Sequence, residues 1–251
     1  MDRAADTKPR RIAVVGAGGG IGRATCERLL QDGARVVALD LPGRKDSVAP
    51  AVEGYAPCDL AKESSVRDAV GAAAELLGGL DVVVNAGGVI RGRAPAHEAS
   101  VADWDEVMAV NARGSFLLAK YSFAFLVDGV SPSFVLVASQ LGLVAVPGAP
   151  AYCASKGAVI QLARSLAIDW ASEGIAVNAV CPGPTATAMV EDRIEASDDP
   201  ERERQILVDS TLTKRLVEPR EIAELIALLA KPGFGSLTGS ALVLDGGYTA
   251  V

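Results

Sequence analysis

The run Arg11-Ile-Ala-Val-Val-Gly16-Ala-Gly18-Gly-Gly20-Ile-Gly22 limits the possible folds more than any other part of the chain. Ile12 to Val15 is a short apolar run rich in β-branched residues, suited to a strand buried on both faces. A glycine-rich turn follows at once. Ile21 to Gln31 then places Ala24, Leu29 and Leu30 at apolar helix positions, and Gly33 supplies a stop. Strand, tight turn and helix in this order open a parallel α/β unit. The glycines allow close backbone approach to a pyrophosphate, and the helix N-terminus offers free N–H groups and a positive dipole end. Their spacing is G-x-x-x-G-x-G rather than the commoner G-x-G-x-x-G. The second apolar run, Ala34 to Leu39, ends at Asp40, about 20 residues past the turn. A carboxylate there accepts hydrogen bonds from an adenosine ribose diol and repels a 2′-phosphate, which points to NAD.

The alternation continues along the chain. Strands are expected at 12–15, 35–39, 52–56, 81–84, 134–138, 176–180 and 242–244. Helices are expected at about 21–31, 63–77, 102–127, 151–172 and 219–230. Pro219 opens the last helix and Pro232-Gly233 closes it. Apolar strands alternating with helices specify an α/β fold: a doubly wound, Rossmann-type parallel sheet of about seven strands with helices on both faces. Residues 10–251 read as one domain of this type, and residues 1–9 as a frayed tail. Ligands of such sheets bind beyond the strand C-termini, so motifs from residue 16 to 187 are expected to converge there.

The chemistry is carried by Tyr152-Cys-Ala-Ser-Lys156, with Ser139 13 residues earlier. A tyrosine and a lysine four apart on a helix share one face. The ammonium is expected to stabilise a tyrosinate and lower the phenol pKa, making Tyr152 a general acid/base. The Ser139 hydroxyl, at the end of the fifth strand, can hydrogen-bond the same reacting oxygen.

Together these residues resemble the short-chain dehydrogenase/reductase family in its compact single-domain form, over about residues 9 to 250. The resemblance implies a catalytic tetrad of Asn111, Ser139, Tyr152 and Lys156, with Asn111 holding a proton-relay water. It implies cofactor contacts from Gly16, Gly18, Gly20, Ile21, Gly22 and Asp40, and from Asp59 and Leu60 beside the adenine. It adds Asn85 and Gly87, then Tyr152 and Lys156 themselves, then Pro182, Gly183, Thr185 and Thr187 at the nicotinamide. Val15 replaces the usual threonine before the glycine turn, and Ala86 replaces the second asparagine of the family's N-N-A-G motif. Leu237-Thr-Gly239 and Asp245-Gly246-Gly247 match the C-terminal signature. The reading is an NAD-dependent oxidoreductase that interconverts a secondary alcohol and a ketone. The alternatives are an NADPH-dependent 3-oxoacyl-carrier reductase, a dehydratase or epimerase relative, and a non-enzymatic dinucleotide sensor or scaffold.

The charged segment 184–214 is expected to form a substrate lid, or else a solvated surface helix. Gln140, Val146 and Met189 are candidate substrate contacts. Leu141, Leu143, Val144, Val146 and Pro147 either line an apolar pocket or pack under their loop. Arg91 and Arg93 are read as solvated rather than as anchors for an acidic substrate group. The net charge of −7 argues against a nucleic-acid or anionic-membrane partner. No apolar run approaches a membrane span, and the four cysteines show no C-x-x-C spacing. Those features suggest a cytoplasmic protein without a metal site. Small residues along 151–172 and apolar stretches at 116–119 and 123–127 suggest paired helices and, with the C-terminal strand near Leu242, a homotetramer.

Overall fold

The computed structural model of the chain describes residues 8–250. Residues 1–7 of the expected tail lie outside the described residues, while Lys8 and Pro9 are exposed. Seven strands form one parallel sheet in the order β3-β2-β1-β4-β5-β6-β7. They are β1 (Arg11–Val15), β2 (Arg35–Asp40), β3 (Gly54–Pro57), β4 (Val82–Asn85), β5 (Ser133–Val137), β6 (Ala176–Pro182) and β7 (Ala241–Leu244). The helices are α1 (Gly20–Gln31), α2 (Glu63–Leu77), α3 (Val101–Val107), α4 (Gly114–Leu126), α5 (Pro150–Asp169), α6 (Ala188–Glu195), α7 (Pro200–Asp209) and α8 (Pro219–Ala230).

The two-residue period of a strand divides the core. Ala13 and Val15 of β1 point into a cluster with Val66 and Val70 of α2, Leu118 of α4 and Val159 of α5. Ile12 and Val14 point the other way, to Cys26 and Leu29 of α1 and Ile222 and Ile226 of α8. Each face of the sheet is therefore covered by helices, as apolar parallel strands require. Cys26 and Cys58 serve as small core residues; burial pushes both thiols up to about 12.

Three expectations about elements are corrected. The third strand begins at Gly54, not Val52, because the Val52 N–H is turned back to the Ala49 carbonyl. The helix expected over 102–127 runs continuously over 101–126 but is not α-helical throughout. Between α3 and α4 lies a π-helical turn, Met108–Arg113, of the kind that often marks functional positions. The helix expected to reach residue 172 ends at Asp169. There Trp170 packs its ring against Phe123 and Phe134, with centroids 5.4 and 5.5 Å away. The charged segment 184–214, expected as a lid or a solvated surface helix, contains two helices, α6 and α7.

The N-terminal ends of the strands are tied by one carboxylate. Asp81 accepts from the Arg11 backbone N–H (2.9 Å), the Val130 N–H (2.9 Å) and the Arg11 guanidinium (2.7 Å). Burial alone would raise the pKa of this carboxyl, but those donors outweigh it and hold it below its usual value. The opposite, C-terminal end is left for the site. No helix among the described residues is long and apolar enough to cross a membrane.

Candidate active site

The site begins where β1 enters α1. Gly16 has φ +73°, and a Cβ on it would stand 2.6 Å from the Gly87 nitrogen. A Cβ on Gly22 would stand 2.0 Å from the Gly16 carbonyl oxygen, so the turn closes only without one. Gly19 and Gly20 are exposed at the N-terminus of α1. This is a bare backbone cradle at a helix N-terminus, suited to a pyrophosphate. Asp40 ends β2 and is buried. Its carboxylate accepts from the Gly18 N–H (2.7 Å) and from its own neighbour Leu41 (2.7 Å). Arg44 stands beside it, with Nε 3.8 Å from Oδ1. Asp40 thus joins the glycine turn at the position where a ribose would follow a pyrophosphate.

The next wall comes from the ends of β3 and β4. Asp59 bonds Lys62 (2.8 Å), which with the Ala61 N–H holds its carboxyl low. Leu60 packs so close to Gly87 and Gly114 that a Cβ on either would lie 2.8 Å from it. Asn85 turns its side chain back to accept the Gly87 N–H (3.1 Å) and donates to Ser115 Oγ (3.0 Å). Both bonds fix the peptide that approaches Gly16. The Asp40 and Asn85 ends of β2 and β4 flank β1, where the sheet order reverses direction. Ligands of open α/β sheets sit at that crevice.

The four expected catalytic residues come together from three elements: the π turn, the end of β5 and helix α5. Asn111 lies in the π turn. Its amide accepts the Val89 N–H (2.8 Å) and donates to the Val89 carbonyl (2.9 Å) and Ser155 Oγ (3.0 Å). Ser139 follows β5 and accepts the Leu141 N–H (3.1 Å), capping the short turn Gln140–Gly142. That turn lies directly on α5, since a Cβ on Gly142 would be 2.7 Å from the Lys156 carbonyl. Helix α5 carries Tyr152 and Lys156. Lys156 Nζ donates to the Val137 carbonyl (2.9 Å), and it and Asn111 Oδ1 both come within 3.2 Å of a Cβ built on Gly88.

The electrostatics differ from the expected lowered phenol. Burial raises the Tyr152 pKa, and the hydrogen bond with Ser139 only partly opposes that. Burial also lowers Lys156 to about 8. The ammonium is engaged by a backbone carbonyl and lies 5.7 Å from the centre of the Tyr152 ring. Desolvation therefore dominates both groups in the chain alone.

The loop after β6 closes the site. Pro182 and Thr185 are buried, and Gly183 approaches Asp245 so closely that a Cβ would lie 2.6 Å from its Cα. Thr185 donates to the Gly183 carbonyl (2.8 Å). Thr187 caps α6 in extended conformation, and its methyl group would be 2.8 Å from a Cβ on Gly20. The start of α6 and the glycine cradle therefore meet. Ile21, next to Gly20, is half-buried. Of the candidate substrate contacts, Gln140 is buried, Val146 half-buried and Met189 exposed. Leu143 and Val144 are exposed. Arg91 pairs with Glu106 (2.8 Å) and Arg93 with Glu203 of α7 (3.4 Å), so both are engaged by carboxylates. Arg193 of α6 also pairs with Glu203, and Arg204 of α7 pairs with Glu191. Within the segment 184–214, Glu191, Arg193, Glu203 and Arg204 are thus paired, and Glu203 also reaches the loop after β4.

Sequence reasoning overlooked Ser155, Ser115, Gly88 and Gly142. Ser155 was within reach, because it lies between Tyr152 and Lys156 on the turn facing the site. Gly142 and Gly88 matter only through close approach of segments far apart in sequence.

Known proteins resemble this chain along nearly its whole length. A family model described as "Enoyl-(Acyl carrier protein) reductase" matches residues 16–249. The chain is 36% identical to 2-(S)-hydroxypropyl-CoM dehydrogenase 3 of Xanthobacter autotrophicus, over 96% of each protein. It is 37% identical to cis-4-hydroxycyclohexanecarboxylate dehydrogenase of Sinomonas cyclohexanicum, over 96% of this chain and 97% of that one. Among solved structures it superposes on levodione reductase with a TM-score of 0.91 and 28% identity, covering 96% of this chain and 98% of the other.

Proposed function

We propose, from the premise that this chain belongs to the short-chain dehydrogenase/reductase family, that it oxidises a secondary alcohol to a ketone, and the reverse, with NAD. The observation that carries the reading is the meeting of Ser139, Tyr152 and Lys156 beside the glycine cradle and Asp40. Both curated relatives described above are named as dehydrogenases of hydroxy compounds, which supports an alcohol substrate.

A bound nicotinamide dinucleotide supplies the two-electron hydride chemistry. The chain supplies position and proton handling. Tyr152 takes the proton of the substrate hydroxyl during oxidation and returns it during reduction. Ser139 orients and polarises the same oxygen. Lys156, held by the Val137 carbonyl, keeps a cation beside the phenol and stabilises the tyrosinate as it forms. Asn111 fixes the loop at Gly88 and Val89 against Lys156, and we assign it the relay water. The Asp40 carboxylate supports NAD over NADP, because its negative charge opposes a 2′-phosphate. The same feature disfavours an NADPH-dependent acyl-carrier reductase. Val146 and Met189 are assigned to the substrate side, under the lid formed by α6 and α7.

The helix faces support the homotetramer. Phe116 of α4 and Ile168 of α5 are 51% and 77% exposed, and Val243 is exposed on the edge strand β7. Light scattering at micromolar concentration tests that assembly, and a mass near 25.7 kDa rules it out. The activity is tested by offering secondary alcohols, polyols, sugars and steroids with NAD and NADP and reading reduced-dinucleotide absorbance. Reduction with an alcohol supports the reading; failure with every alcohol and with the matching ketones in reverse defeats it.

A further inference from the structure

We propose that the ion pair between Arg93 and Glu203 is a gate: it closes helices α6 and α7 over Ser139 as one hinged flap, and its breaking admits substrate and releases product. The inference rests on the alcohol-oxidoreductase reading above, which puts the reacting oxygen at Ser139.

The flap has a core of its own. Ile194 of α6 and Leu207 of α7 are buried against Leu216 at its base, in a cluster separate from the two cores of the sheet. Its two ends are joined. The Ala186 N–H donates to the Val217 carbonyl (2.9 Å), and the Val217 N–H donates to the Pro184 carbonyl (2.8 Å). The Leu212 N–H fixes the returning end to the Gly246 carbonyl (2.8 Å). Lys214, at that end, has φ +53°, a left-handed backbone that residues other than glycine rarely adopt. Such strained positions cluster at segments that switch. Among the described residues, one hydrogen bond runs from 188–209 to a distant part of the chain, and it is the bond from Arg93 to Glu203 (3.4 Å).

That bond crosses the site. Arg93 follows β4 and Glu203 follows β6, while β5 lies between those strands and leads to Ser139. A tie from one segment to the other therefore spans the end of β5. Each half of the tie is held separately. Arg91 pairs with Glu106 (2.8 Å), which fixes the loop after β4, and a Cβ on Gly148 would lie 3.7 Å from the Arg93 carbonyl carbon, just ahead of Tyr152. Glu203 belongs to the flap. Arg193 Nε donates to the same carboxylate oxygen at 3.0 Å, and that bond holds the carboxyl below its usual value. When Arg93 lets go, Glu203 keeps Arg193, and Arg93, 44% exposed, returns to water. No buried charge is stranded, so opening costs only what a partly exposed pair contributes. A flap with its own core, a joined base and one weak tie opens as a hinged body.

The test is limited trypsin digestion of the full-length protein, with cleavage after Arg193, Arg202, Arg204 and Lys214 read by mass spectrometry. Wild type is compared with Arg93→Met and Arg93→Glu, neither of which alters the flap itself. Cleavage is expected to quicken about 2–5-fold in Arg93→Met. It should quicken further in Arg93→Glu, which sets a like charge against Glu203, with both melting temperatures unchanged. Arg93→Lys is expected to restore most of the protection, and about 0.5 M salt to narrow the gap between wild type and Arg93→Met. With an alcohol that the wild type oxidises, Arg93→Met is expected to raise KM about 2–5-fold without lowering kcat. Equal cleavage in wild type and Arg93→Met overturns the tie. So does faster cleavage with a lower melting temperature, because the whole fold would then be loosened. Faster flap cleavage with KM and kcat both at wild-type values overturns the role in substrate passage. Failure of the wild type with every alcohol in the broader panel overturns the underlying reading, and the gate over an active site with it.

Discussion

Lys156 Nζ lies 5.7 Å from the centre of the Tyr152 ring and gives its hydrogen bond to the Val137 carbonyl, at 2.9 Å, rather than to the phenol. The cation is therefore placed by the sheet, and acts on Tyr152 through space. Holding it there costs stability. Burial lowers its pKa from 10.5 to about 8. Between those values the unfolded chain binds more protons than the folded one, so stability from this group rises with pH across about 8 to 10.5 and is lowest below 8. Lys156→Met is expected to stabilise the protein at pH 7 by about 1–3 kcal/mol while abolishing turnover. The gain should shrink as pH rises through that window. Urea unfolding at neutral and alkaline pH checks both points, and a less stable variant at pH 7 contradicts the account.

Asp40 should set the cofactor preference. Its carboxylate neighbours Arg44, so Asp40→Ser removes a repulsive charge and releases a guanidinium beside the ribose position. NADP binding should tighten by about 10-fold or more, and NAD binding should weaken, as one lost charge-assisted bond implies. Fluorescence titration with both dinucleotides measures this; an unaltered protein that prefers NADP refutes it.

Two glycines give opposite outcomes. Gly22→Ala drives a Cβ to 2.0 Å from the Gly16 carbonyl and should cost dinucleotide affinity and stability together. Gly71, inside α2, faces open space with an ordinary helical backbone, so Gly71→Ala should stabilise by about 0.5–1 kcal/mol. Thermal melts of the two variants, with and without NAD, separate a turn that needs glycine from a helix that does not.

Asp81 tests whether the two ends of the sheet are independent. Asp81→Asn leaves the Arg11 guanidinium without its carboxylate in a partly buried setting and should cost about 3–5 kcal/mol. Asp81 directly precedes β4 and Asn85 ends it, so NAD affinity of the folded variant should be unchanged. Calorimetry and titration on the same sample check the pair of outcomes.

Much of this was legible in the sequence, for local reasons. The strand, glycine turn and helix at 11–31 are set by apolar period and by turn chemistry that neighbours supply to each other. The same holds for Tyr152 and Lys156, whose i, i+4 spacing places them on one face once the helix is granted. What was not legible depends on distant partners. The π turn at Asn111 answers to Val89 and Ser155, 22 and 44 residues away. The raised phenol follows from burial, which spacing does not reveal. Ion pairs such as Arg93 with Glu203 join segments 110 residues apart, so the sequence left the arginines of the β4 loop looking free.

The central claim is that Tyr152 moves the substrate proton while the dinucleotide is held by other residues. The most direct measurement pairs steady-state alcohol oxidation with NAD titration for the wild type and Tyr152→Phe. The account predicts a fall in kcat of about 10²–10⁴-fold with the NAD dissociation constant within about twofold. A Phe variant that turns over at near wild-type rate contradicts it.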